Sequence, residues 1–290
     1  METGIKPKLL LSLPVIFIIV IIGGVIFLFT TFSHSQENSN SQGNSTEKPL
    51  EVLFIGNSYT YTNSLPTIFQ EIAVSAGHPR PMVESDTPGG YTFAEHLTSS
   101  TTSLMIFNQT WDVVVMQEQS EVPAMAQSDP AVNESFIEGF DGLYELVEES
   151  SPEAQVVLFE TWARNAELWA NPTPSLMLDG KDPTDMTQRL KAGYEEAAQS
   201  VLTQGGCPVE IARVGELWNI NYQSDTPIRL HDSDGSHPNF AGSYLAALDI
   251  YATIYGQVPK DLSYHGSLGK EEASILIDLV RQNFPEIHEQ

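Results

Sequence analysis

Residues 111–117 read WDVVVMQ, and this stretch decides the fold. Three consecutive valines, Val113 to Val115, put β-branched side chains on both faces of an extended chain, as in strands covered on both sides. Four more short apolar runs read as strands: EVLFIG (51–56), PMVES (81–85), AQVVLFE (154–160) and VEIARVG (209–215). Longer amphipathic stretches lie between them. Helices are expected near Leu65–Ser75, from about Phe93, over Asn133–Glu148, over Asp185–Gln204, after Pro238 and over Lys270–Gln282. In the third of these, Phe136, Ile137, Phe140, Leu143, Tyr144 and Val147 recur at helical spacing. Residues 165–184 are irregular and proline-bearing, and read as a long surface loop. Strands alternating with helices predict an α/β fold, a three-layer α/β/α sandwich around a central parallel five-stranded sheet. In such sheets the working groups collect on loops at the carboxyl ends of the strands.

The chain has 290 residues, 41% of them hydrophobic, enough for a sizeable core, and shows no internal repeat. Its 38 acidic and 13 basic residues give a net charge of −25, and the first 48 residues contribute none of the excess. A surface this negative repels phosphate backbones, so no nucleic-acid partner is expected. The single cysteine, Cys207, precludes an intrachain disulfide and is expected to be a small buried side chain before the fifth strand.

From Leu9 to Phe32 no charged residue appears. Those 24 residues would span about 36 Å as a helix, against about 30 Å of membrane hydrocarbon. Lys6 and Lys8 precede the run, and no Lys or Arg follows before Lys48. Residues 1–34 therefore read as a single-pass membrane anchor with the rest of the chain outside the cytoplasm. A cleaved signal peptide ending near Ser33-His34-Ser35 is the competing reading. Residues 35–48 are polar and rich in Ser and Asn, a flexible linker. The folded domain is expected over residues 49–290.

The first strand runs into Gly56-Asn57-Ser58, which delivers a serine at a strand's carboxyl end. A serine hydroxyl is a weak nucleophile and needs a base oriented by a carboxylate. Of the histidines, His237 has the distinctive setting: Asp234-Gly235-Ser236-His237-Pro238, ahead of a helix whose first turn Pro238 suits. A turn of that length sets the Asp234 carboxylate against one imidazole nitrogen and leaves the other free. His231 reads as a surface residue, and His78, His96, His265 and His288 as solvent-facing. Within HDSDGSH, His231, Asp232, Asp234 and His237 are also metal-ligand types. However, the other strand ends offer mostly serine and amides, so no metal is expected. Acyl transfer further needs oxyanion donors, and Gly89-Gly90 after the second strand and Gln117 and Gln119 after the third stand where such donors are wanted.

These blocks resemble the SGNH/GDSL hydrolase superfamily of esterases and lipases, as a divergent branch. The family's Gly-Asp-Ser turn is here Gly56-Asn57-Ser58, its second-block glycine is matched by Gly90, and its Asp-x-x-His is Asp234 to His237. The third block, normally Gly-x-Asn-Asp, is replaced by QEQS, in which Gln119 is the nearest substitute for the oxyanion-binding Asn. The resemblance covers about residues 51–256 and implies a flavodoxin-like SGNH hydrolase fold with no cofactor. It implies a triad of Ser58, His237 and Asp234, with an oxyanion hole from the Ser58 and Gly90 N–H groups and the Gln119 amide. Trp162, Arg164 and Gln117 are expected to line the substrate site. The expected function is hydrolysis of small-molecule or carbohydrate esters, acetyl groups included. A catalytically impaired module of the same fold that binds a surface glycan is the alternative. Oligomeric state is not legible.

Overall fold

The computed structural model describes residues 48–171 and 179–288. The apolar run 9–32, nearly all of the linker and residues 172–178 of the expected surface loop lie outside the described residues. Among the described residues, no helix is long and apolar enough to cross a membrane.

Along the chain come β1 (Glu51–Ile55), α1 (Ser58–Tyr61), α2 (Leu65–Ser75), β2 (Met82–Asp86), α3 (Phe93–Thr98), α4 (Ser100–Asn108), β3 (Val113–Met116), α5 (Val122–Ala126) and α6 (Pro130–Ser150). There follow β4 (Gln155–Phe159), α7 (Ala166–Ala170), α8 (Pro183–Thr203), β5 (Glu210–Ala212), α9 (Val214–Gln223), α10 (Phe240–Tyr255) and α11 (Lys270–His288). The five strands form one sheet in the order β2-β1-β3-β4-β5, all parallel.

The pleat sorts each strand's side chains into two layers. Val52, Phe54, Val113, Val115, Val157 and Phe159 face α2, α9, α10 and α11. Leu53, Ile55, Val114, Met116, Val156 and Leu158 face α3, α4, α6 and α8. Both faces are therefore dry, which is why the strands read as continuous apolar runs and not as alternating ones. The order reverses direction at β1: the chain goes from β1 outward to β2, then back across to β3. The carboxyl end of β1 is thus the topological switch point, where such sheets open a crevice.

Several sequence expectations need correction. The run 209–215 is not one strand: β5 ends at Ala212 and α9 begins at Val214. Cys207 is exposed, in the turn before β5, where its N–H donates to the Tyr144 hydroxyl at 2.9 Å. Helix α10 starts at Phe240 behind an Asn239 cap, so Pro238 lies outside its first turn and pairs instead with His231 in an isolated antiparallel bridge. His231 and His96 are buried, not solvent-facing.

Candidate active site

Gly56 permits the turn that follows β1. A Cβ at this position would stand 2.5 Å from Thr60 Oγ1 and 2.8 Å from Gln117 Oε1, so a side chain has no room. Asn57 caps α1, its Oδ1 accepting from the Tyr59 N–H at 3.2 Å. The same oxygen accepts from Gln117 Nε2 at 3.0 Å, while Asn57 Nδ2 donates to the Tyr91 carbonyl at 2.9 Å. A carboxylate in this place has no N–H to offer Tyr91, which gives the departure from Gly-Asp-Ser a physical reason. From beneath, buried His96 donates through Nε2 to the Gly56 carbonyl at 2.8 Å. Desolvation by burial holds the His96 pKa below the usual imidazole range.

Ser58 is the first residue of α1, half-buried, with its N–H among those a helix start leaves without an intrahelical partner. Its Oγ lies 2.9 Å from His237 Nε2, and His237 Nδ1 lies 2.6 Å from Asp234 Oδ2. The other carboxylate oxygen of Asp234 accepts from the N–H groups of Ser236 and His237, each at 2.9 Å. Partial burial works against the Asp234 charge, but the His237 hydrogen bond and these two N–H groups outweigh it and hold the pKa below the usual carboxylate value. Gly235, at a left-handed φ of 69°, turns the chain between the acid and the base.

Two further ties fix the acid–base loop over the serine. The Tyr59 hydroxyl lies 2.9 Å from Ser236 Oγ, and Asn63 Nδ2 donates to the Pro238 carbonyl at 3.1 Å. Asn63 itself sits at a left-handed φ of 56°, which asparagine tolerates better than most residues. His231 orders the loop from behind. Its Nε2–H donates to the Ala163 carbonyl at 3.0 Å. Its Nδ1, 2.8 Å from the Tyr222 hydroxyl, is the acceptor, because that hydroxyl already takes the Leu230 and His231 N–H groups. Burial pushes the His231 pKa down to about 4, so this imidazole is neutral.

The expected oxyanion donors flank the serine in the sheet. Gly90 follows β2 and Gln119 follows β3, and these are the two strands paired with β1. Gly90 is exposed, one residue before the Tyr91 carbonyl held by Asn57. Gln119 is half-buried, and its Oε1 accepts from the Glu121 N–H at 2.8 Å, which leaves its NH2 end without a partner among the described residues.

The three expected substrate-lining residues are placed otherwise. Trp162 is 0% exposed, stacked on Tyr59 at 4.5 Å on one side and on Trp218 at 4.0 Å on the other, with Nε1 donating to the Ser236 carbonyl. It is a buried prop for the acid–base loop. Arg164 is 5% exposed and pairs with Glu121, Ser120 and the Tyr59 hydroxyl, so its guanidinium joins three strand ends. Gln117 is buried; its Oε1 accepts from the Asn57 N–H at 3.0 Å and Thr60 Oγ1 at 2.8 Å, so its amide builds the serine turn. Replacing Gln117 by Leu strands these buried donors, and a loss of about 1–3 kcal/mol in urea-unfolding stability is expected.

Glu118 was not singled out in the sequence, yet it ties together the loop that follows Gly90 and the loop that carries Gln119. Its buried carboxyl accepts from the Phe93 N–H, after the Gly90 loop, and from the Gln119 N–H. Desolvation raises its pKa to about 8. Between the ordinary value of 4.5 and about 8 the folded chain holds a proton that the unfolded chain has lost. Glu118's contribution to stability therefore falls as pH rises through that window, by on the order of 1 kcal/mol per unit, and levels off above it. Glu118→Gln, which mimics the neutral acid, is expected to flatten the slope of unfolding free energy between pH 5 and pH 8. An unchanged slope would mean the carboxyl is ionised in the folded chain.

No family model matches the chain, and no curated protein matches it. Solved structures do. A DUF4886 family protein from Bacteroides uniformis superposes with a TM-score of 0.68 at 16% identity, over 83% of this chain and 96% of that one. A putative GDSL-like lipase from Parabacteroides merdae gives 0.52 at 15% identity, over 73% and 98%. The lipase/acylhydrolase from Enterococcus faecalis gives 0.50 at 15% identity, over 73% and 100%. The chain thus has the SGNH/GDSL-type hydrolase fold, in a divergent version.

Proposed function

We propose that this chain is a serine hydrolase acting on carboxylic esters. One observation carries the reading: a serine at the switch point, an imidazole 2.9 Å from it and a carboxylate 2.6 Å behind the imidazole. The likeness to the lipase/acylhydrolase from Enterococcus faecalis supports it at the level of fold.

In the proposed reaction, Ser58 Oγ attacks the acyl carbon as its proton passes to His237 Nε2. Asp234 stays ionised, fixes the Nδ1–H tautomer and steadies the imidazolium. The Ser58 and Gly90 N–H groups and the Gln119 amide receive the charge on the carbonyl oxygen. Collapse expels the alcohol, which takes the proton from His237 and leaves an acyl-serine. Water, deprotonated by His237, then attacks the acyl-serine; the carboxylic acid departs and Ser58 regains its proton. Short acyl esters, acetyl groups on carbohydrate among them, are the proposed substrates. Burial of Trp162 removes it from the substrate-site wall expected at that residue.

The apolar run 9–32 supports tethering of this domain outside the cytoplasm. A membrane-impermeant fluorophosphonate tests both parts of the proposal on intact cells. Labelling of the wild-type chain and none of the Ser58→Ala chain is expected. Failure to label the purified chain would favour the glycan-binding module, and labelling only after lysis would defeat the outward placement.

A further inference from the structure

Helix α1 carries Ser58, and its residues divide by exposure: Tyr59 and Thr60 are buried, while Ser58 is half-buried and Tyr61 exposed. Residues three apart on a helix share a face, so Tyr61 stands about 4.5 Å along the axis from Ser58, on the same side. Its side chain is 51% exposed. Among the described residues its ring meets no other aromatic ring and its hydroxyl has no hydrogen-bond partner. The core makes no use of it.

The space beside Tyr61 is open. Beyond its own chain neighbours, a Cβ added to Gly89 would meet one atom within 4 Å, the Tyr61 hydroxyl at 3.7 Å, and one added to Gly90 would meet none. Gly90 takes a left-handed φ of 77°, which favours glycine. Gly89 does not, so its backbone is one that other residues adopt. What glycine provides at 89 is room: a trough between the β2 loop and Tyr61, next to the serine.

Sheet order decides which part of an ester enters the trough. The acid–base loop is fastened to the loop after β4. The Asn165 N–H donates to the Gly235 carbonyl at 2.9 Å, and Trp162 Nε1 donates to the Ser236 carbonyl at 3.0 Å. Strands β2 and β4 lie on opposite sides of β1. His237 therefore reaches Ser58 from the β4 side, while Tyr61 and Gly89 occupy the β2 side. A leaving alcohol stands beside His237 to take its proton, which directs the acyl chain toward Tyr61. We propose that Tyr61 is the acyl-selecting residue of this site and favours butyryl and hexanoyl chains over acetyl. An acetyl methyl ends short of the ring, whereas a longer chain lays methylene groups on it and removes apolar surface from water. The inference rests on the serine-hydrolase reading.

The test compares p-nitrophenyl acetate with p-nitrophenyl hexanoate, which share one alcohol, on the full-length chain. The ratio of kcat/KM for hexanoate to that for acetate is expected to fall about tenfold in Tyr61→Ala, chiefly through the hexanoate KM. Tyr61→Phe keeps the ring and should hold the ratio within about twofold of wild type. Gly89→Val fills the trough from its other wall and should lower the same ratio. An equal loss on both esters in Tyr61→Ala, or an unchanged ratio, would overturn the assignment. If the wild-type chain turns over neither ester, the hydrolase reading fails by itself. Saturation-transfer NMR of ethyl hexanoate on the Ser58→Ala chain then decides the acyl contact. A signal lost when Tyr61→Ala is added supports the contact; an unchanged signal, or none at the start, overturns it.

Discussion

A chain carrying Ser58→Ala is expected to hydrolyse a chromogenic acetate ester about 10⁴-fold more slowly, or worse, with its unfolding midpoint unchanged. The two halves of that expectation come from different parts of the structure. The Ser58 side chain is half-buried and its one hydrogen bond is to His237, so removing the hydroxyl leaves no buried group stranded. Chemistry, in contrast, loses its nucleophile. Residues that act as one unit show strongly non-additive losses. His237→Ala should therefore cost about as much as Ser58→Ala, and the double variant little more than either. Turnover retained in Ser58→Ala would remove the basis for the proposed mechanism. A loss in His237→Ala that multiplies with that of Ser58→Ala would show that the two residues do not work together.

Ser58, His237 and Asp234, whose side chains the structure brings within hydrogen-bond distance, stood out in the sequence because their signals are local. Gly56 and Ser58 are two positions apart, and Asp234 and His237 three apart with a glycine between, so the turn chemistry is written in a few consecutive letters. The strands were legible for another reason: a parallel strand buried on both faces is apolar throughout, and all five fall within three residues of their expected ends. Helix α9 was lost because only Arg213 separates it from β5, so that Val214 read as a continuation of the strand. Trp162, Arg164 and Gln117 were misplaced because their partners are distant in sequence. Trp162 is sandwiched between Tyr59 and Trp218, and Arg164 meets Glu121 and Tyr59. A tryptophan or an arginine after a strand reads the same in sequence whether it faces a ligand or another strand end. His96 and His231 show the same ambiguity: each is buried and spent on a backbone carbonyl, a role with no periodic trace.

The ion pair between Arg164 and Glu121 gives the largest expected effect on stability. Both side chains are almost wholly buried, and the guanidinium spans the ends of β1, β3 and β4 through Tyr59, Ser120 and Glu121. Glu121→Ala leaves a buried cation with only neutral partners, and a loss of about 3–5 kcal/mol in urea-unfolding free energy is expected. A loss below about 1 kcal/mol would mean that water reaches the guanidinium and that the pair behaves as a surface one. Replacing both partners, as Glu121→Leu with Arg164→Met, removes the charge together with its need for compensation. That chain should regain most of the lost stability, because buried pairs rarely outperform well-packed apolar groups of similar volume. Its activity should not return with it. Without Arg164 the Tyr59 hydroxyl loses one of the two partners that fix it, and Tyr59 is what holds Ser236 between the acid and the base. A stable double variant with a lower kcat and an unchanged KM would place the purpose of the buried charge in the register of the acid–base loop over Ser58, with stability of the fold a separate matter.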